Sequence, residues 1–254
     1  MVKRASNSLR VQSLSILLAL TLVSAANPIF AASDDPLEPV NRVTHGFNDV
    51  LDRFLLKPVA KTYQFIMPEF AERGVRNVFT NLGEVRNVVH NGLQGKGKGA
   101  VQSTGRLLIN STVGIGGLFD VASKIGLPVE REDLGQTLGS WGVGPGPYLV
   151  VPFFGPSSLR DALGLLADPA LNPITYAPIS TAEKTGVTLL SAVQTRADLI
   201  SAEGLISGDK YIIYRQAYLS TREFDVNDGQ IKTDDFLDNS TDFDEEDEFL
   251  DEGF

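Results

Sequence analysis

The chain has 254 residues, 22 basic and 32 acidic side chains for a formal net charge of −10, and no cysteine. Without a thiol there can be no disulfide, thiolate metal site or thiol catalysis. The acidic balance also leaves no broad basic surface for nucleic acid, whose binding rests on many Lys and Arg contacts to phosphate.

At the N-terminus Lys3, Arg4 and Arg10 precede an apolar run from Leu14 to Val23. Small residues follow at Ser24, Ala25, Ala26, Ala31 and Ala32, which is the pattern of a secretory signal peptide. The run is about half the ~20 residues that a bilayer span needs, which ranks this reading above a retained signal anchor. Residues 1–32 are therefore read as a leader ending at Ala25, Ala26 or Ala32, and 33–232 as one domain. With no cysteine to carry an N-terminal thioether, no lipid anchor is expected, and any grip on a membrane has to come from the fold.

Three of the 22 bases lie in the leader and eleven of the 32 acids lie in 233–254, so the body holds nineteen bases and twenty-one acids. The body is close to neutral. The tail, TDDFLDNSTDFDEEDEFLDEGF, repels itself and carries few apolar residues, so it is expected to be a disordered, solvated appendage.

The body reads as mostly α. Asp35, Pro36 and Glu38 predict a helix start with a capping aspartate, a first-turn proline and a capping box. Val40, Val43, Phe47, Val50, Leu51 and Phe54 then recur at spacings of three and four, which gathers them on one broad apolar face. Further helices are predicted at 58–66, 68–82, 84–93 and 99–111, then at 157–167, 180–201 and 209–221. Strand patterning is weak, with Tyr148 to Val151 as a short run that ends at a proline. Between Gly114 and Pro156 lie ten glycines and five prolines, which regular helix cannot tolerate at ~1 and ~3 kcal/mol per interior position. The residues among them, including Trp141, Tyr148, Phe153 and Phe154, are apolar or aromatic, so this irregular segment has to pack against protein or membrane.

Chemical motifs are missing. Neither a phosphate loop nor a GxSxG nucleophile elbow occurs, and Gly95-Lys96-Gly97-Lys98-Gly99 reads as a flexible basic turn. His45 and His90 lack metal-ligand spacing and are read as surface or partly buried helical histidines. A set such as Ser157, His90 and Asp161 could assemble in space, but nothing in the spacing favours it. No enzyme activity, cofactor or metal is expected. In Gly155-Pro156-Ser157-Ser158-Leu159-Arg160-Asp161, Ser157 is placed to cap a helix, with Arg160 and Asp161 in a local ion pair.

Ordered motifs carry a resemblance. Asp35-Pro36-Leu37-Glu38-Pro39-Val40-Asn41-Arg42, Phe47-Asn48-Asp49-Val50-Leu51-Asp52 and Leu56-Lys57-Pro58-Val59-Ala60-Lys61-Thr62-Tyr63 come first. Asn91-Gly92-Leu93-Gln94-Gly95, Arg106-Leu107-Leu108-Ile109-Asn110-Ser111-Thr112, Trp141-Gly142-Val143-Gly144-Pro145-Gly146-Pro147-Tyr148 and the 155–161 cluster follow in order. From about Asp35 to Tyr218 the chain resembles the MlaA/VacJ family. The resemblance implies a ring of amphipathic helices in the outer membrane around an amphipathic channel. It implies removal of mislocalised phospholipid from the outer leaflet and its passage to a periplasmic carrier of the MlaC type, often on a porin trimer, without covalent chemistry. On that basis Arg160, Asp161, Trp141, Tyr148, Phe153 and Phe154 are expected to line the lipid path, and Val43, Phe47, Val50 and Phe54 to face the membrane. The competing reading is a soluble periplasmic scaffold or adhesion protein. A periplasmic lipid hydrolase would need a nucleophile and base that the sequence does not display.

Overall fold

The structure, a computed structural model, describes residues 35–205 and 208–230. The expected leader (1–32) and acidic tail (233–254) lie outside the described residues.

Helix α1 spans Glu38–Leu51 and α2 spans Lys57–Ile66; a π-helical turn, Asp52–Leu56, joins them. The wide turn has a local cause. Pro58 has no N–H to donate and its ring would strike the carbonyl four residues back. The Lys57 N–H reaches back to the Asp52 carbonyl, and the opened turn accommodates the ring. The expected capping box is absent: α1 begins two residues after Pro36, with Pro39 in its first turn and no side-chain cap. Glu38 instead pairs with Arg42 at 2.7 Å. Asp35 accepts from the Leu37 N–H, from Asn41 and from the Tyr211 hydroxyl, which ties the start of the domain to its last helix.

Helix α3, Glu69–Leu93, is continuous where two helices were predicted, because Gly83 is carried inside it. The turn at Gln94 to Lys96 then returns the chain as α4, Gly97–Thr112, antiparallel to α3. The contact between the two is polar. Arg106 and Glu84 are both fully buried and paired. Ser123 Oγ and the Leu127 carbonyl take one arm of the Arg106 fork, and Asp120 takes the other. A buried ion pair survives only when its remaining donors are satisfied in this way.

The Gly/Pro segment contains two short helices, α5 (Val121–Lys124) and α6 (Leu134–Ser140), capped by Asp120 and Asp133 respectively. It ends in an antiparallel hairpin, β1 (Tyr148–Val151) with β2 (Gly155–Ser158), in the register Tyr148 opposite Ser158. Two asparagines of α1 act as a third edge. Asn41 donates to the Tyr148 carbonyl at 3.0 Å and accepts from the Val150 N–H at 2.9 Å. Asn48, seven residues on, does the same for the Val151 carbonyl and the Phe153 N–H. Helix α7 (Leu159–Ala167) follows β2 directly. Its cap is Ser158 and not Ser157: the Ser158 hydroxyl accepts from the Asp161 N–H at 3.1 Å, whereas the Ser157 hydroxyl donates to the Ser158 carbonyl. Two 3₁₀ turns lead to α8 (Thr181–Ile200), which opens with a Ser180–Glu183 capping box, and α9 is Lys210–Val226. The mostly α expectation holds, with a single two-stranded sheet among the described residues.

The distribution of polarity is inverted. Of the buried residues described, seven are hydrophobic and seventeen are polar or charged, while thirty-two large hydrophobics are exposed. Among the described residues the apolar cluster is small: Tyr148, Val150 and Tyr211, with Tyr218 and Leu219 against it. A water-soluble domain of this size buries its Leu, Ile, Val and Phe. This one turns them outward, which is the arrangement of a protein whose solvent is lipid.

Candidate functional site

Helices α6, α7 and α9 meet around Asp161. They can approach because Gly135 and Gly139, one turn apart on α6, lie beneath α7: a methyl on Gly135 would collide with the Asp161 carboxylate, and one on Gly139 would come within 2.8 Å of the Arg160 guanidinium. Asp161 receives Arg160 Nε and Arg222 Nε, each at 2.9 Å, and the Tyr218 hydroxyl. The rest of the Arg222 fork grips Asp133 at 2.7 and 3.0 Å. Burial by itself would raise the Asp161 carboxyl, but the bonds from Arg222, Arg160 and Tyr218 reverse this and hold it well below the usual carboxylate range. Burial, with the Asp161 charge beside it, pushes the Tyr218 phenol well above its ordinary value. Burial pushes Tyr148 up to about 12.

This cluster is the partition between two cavities. The first, about 430 Å³, has Phe79, Leu82, Phe154, Leu165 and Leu171 on its apolar side. The second, about 480 Å³, lies under the Gly142 to Pro147 loop and takes in Arg160, Tyr148 and Arg215. Asp161, Tyr218 and Arg222 face both. A third, of about 210 Å³, adjoins the first across Phe79, Gly83 and Arg86, which wall both and recur along one face of α3. The three adjoin one another in series.

Of the residues singled out from the sequence, Arg160, Asp161 and Tyr148 are buried beside the second cavity and Phe154 lies on the first. Trp141 and Phe153 wall neither. Trp141 is half exposed and its indole N–H donates to the Leu93 carbonyl, while Phe153 packs edge-on against Phe47 with ring centroids 5.4 Å apart. Val43, Phe47, Val50 and Phe54 are all exposed on the outer face of α1 and the turn after it. Ser157, His90 and Asp161 do not join in one hydrogen-bonded set. His90 is buried, contrary to the surface or partly buried position expected, because Thr137 (2.9 Å) and Asp168 (3.1 Å) bond its two ring nitrogens. Thr137 is itself fully buried. Sequence reasoning missed Asp133, Tyr218, Arg222 and Arg86. The i, i+4 spacing of Tyr218 and Arg222 was a usable signal, but their partners are 57 to 89 residues away.

A polar interior, an apolar exterior and adjoining cavities define a helical protein whose outer surface is suited to lipid. Comparison with known proteins agrees. Residues 33–225 match the family described as MlaA lipoprotein, and the chain belongs to that family. The intermembrane phospholipid transport system lipoprotein MlaA of Escherichia coli K12 is 38% identical over 208 residues, covering 78% of this chain and 80% of the relative. The Haemophilus influenzae protein of the same description is 31% identical over 229 residues, covering 85% and 90%. A solved chain, described as the structural basis for maintenance of bacterial outer membrane lipid asymmetry, superposes with a TM-score of 0.66 at 35% identity. It covers 76% of this chain and 99% of that one.

Proposed function

We propose that this protein sits in the outer membrane and transports phospholipid between membranes, removing misplaced phospholipid from the outer leaflet to maintain lipid asymmetry. The observation that carries the reading is the inverted burial around a series of cavities, in a chain whose relatives are named for intermembrane phospholipid transport. Among the described residues no helix is long and apolar enough to cross a membrane, so the helices lie along the lipid interface and bury their outward faces there. A headgroup then moves through the polar interior past Arg160, Asp161, Tyr148 and Phe154. Trp141 and Phe153 serve at the outer surface. Irregular backbone such as the Gly142 to Pro147 loop is tolerable at membrane depth because it is packed against protein and borders a cavity.

Transfer along such a path needs no covalent step. The acceptor is a periplasmic carrier of the MlaC type, and a porin trimer is the partner that holds the protein in place. A soluble scaffold would not leave Phe54, Phe65 and Phe70 more than 70% exposed. The family is named for lipoproteins, but this sequence has no cysteine to take a lipid, so its apolar surface and its partner supply the seating. The test is outer-leaflet phospholipid in a deletion strain. Accumulation reversed by this chain is expected, and an unchanged leaflet in the deletion strain would refute transport.

A further inference from the structure

Most charges on the walls of the first and third cavities are paired, and Arg86 stands out against them. In the first cavity Asp133 and Asp161 share Arg222, and Asp168 is bonded by His90 and by the Leu134 N–H. In the third, Arg76 is paired with Asp198 and Glu72. Arg86 borders both cavities, and among the described residues its guanidinium has no carboxylate partner. Its Nε is buried without a hydrogen-bond partner of any kind. A second cation of the third cavity, Arg131, is likewise without a carboxylate among the described residues. Gly83, one turn before Arg86, leaves open space there: a methyl at Gly83 would meet nothing within 4 Å.

A partly buried guanidinium without a carboxylate, on a wall where Asp133, Asp161, Asp168 and Arg76 are all paired, is positioned for an anion that comes and goes. Its planar fork suits a phosphate, which it can bind through two parallel hydrogen bonds. We propose that Arg86 is the seat for the phosphate of a phospholipid headgroup, in the throat between the first and third cavities, with the acyl chains directed toward Leu82, Leu165 and Leu171. This rests on the transport reading and adds what the path recognises: the phosphodiester and not the group esterified beyond it. The lipid, and not free phosphate, is the source, because the same cavity offers that apolar wall.

Binding to the detergent-solubilised full chain tests this, with dihexanoyl phosphatidylglycerol, dihexanoylglycerol and inorganic phosphate as probes, on the native protein and on Arg86→Gln and Arg86→Lys. Arg86 forms no internal ion pair, so both variants should melt as the native protein does. The native chain should prefer the phospholipid to the diacylglycerol by about ten-fold or more, as one charged hydrogen-bonded contact supplies. Arg86→Gln should abolish that preference and Arg86→Lys should keep part of it. An undiminished preference in Arg86→Gln would overturn the assignment and leave transport standing. Inorganic phosphate binding as tightly as the lipid would overturn the lipid source. If neither phospholipid nor diacylglycerol binds the native chain, the seat and the transport reading fall together.

Discussion

Asp161 satisfies three side chains from two helices, and all of them lose a partner if its charge is removed. Breaking a buried pair while its cations remain costs about 3–5 kcal/mol, so Asp161→Asn, which keeps one acceptor oxygen, should sit near the lower end. Tyr218→Phe removes one hydrogen bond and should cost about 1 kcal/mol; thermal melting in detergent separates the two. Acid should act through the same residue. A carboxyl held below its usual range stabilises the folded state fully above the unfolded value of about 4 and loses that contribution as pH falls below it. The native protein should therefore weaken below about pH 4, and Asp161→Asn should show a flatter acid limb. An equally steep limb in the variant would remove Asp161 from the account. The pairing of Arg160 with Asp161 was legible in the sequence because the two are adjacent. Arg222 and Asp133 were not, since only the packing of α9 on α6 brings them in.

Gly83 shows how an element can depart from its propensity for a reason. Glycine inside a helix costs about 1 kcal/mol relative to alanine, so Gly83→Ala should stabilise α3 by up to that amount, and it meets no steric objection. Gly83→Phe would project a ring into the space the first and third cavities share and should slow lipid release measured with fluorescent phospholipid, with circular dichroism as the check on folding. Unchanged release would show that lipid does not pass there. Reading Gly83 as a break split α3 in two, whereas the helices with clear caps and apolar periodicity were placed to within a few residues. The hairpin was the harder case. Its pairing partner, β2, is Gly155-Pro156-Ser157-Ser158, with no strand pattern, and its outer edge is supplied by Asn41 and Asn48, which replace backbone groups with side-chain amides. Asn41→Leu should loosen the hairpin by roughly 1–3 kcal/mol, because it leaves a buried carbonyl and N–H unpaired.

At the scale of the molecule, the apolar faces were visible as periodicity, but their direction was not. The same spacing that would bury Val43, Phe47, Val50 and Phe54 in a soluble core here presents them outward. Periodicity identifies a face and leaves open what covers it. Each such side chain contributes about 1.5–3 kcal/mol when fully buried, so three or four together exceed the marginal binding of a single acyl chain. Alkaline carbonate should therefore leave the protein in the membrane pellet, and mass spectrometry should give an unmodified polypeptide. Complete release into the supernatant would return the soluble scaffold to first place.

The outward-facing hydrophobics also bear on how the protein arrives. On the proposed route the chain crosses water between export and insertion, where the final arrangement would display dozens of greasy side chains and invite self-association. Folding and delivery are thus one problem, since the last step of assembly needs lipid to complete it. In buffer alone the purified chain should precipitate or stay collapsed without fixed side-chain packing, and adding vesicles or detergent micelles should order it.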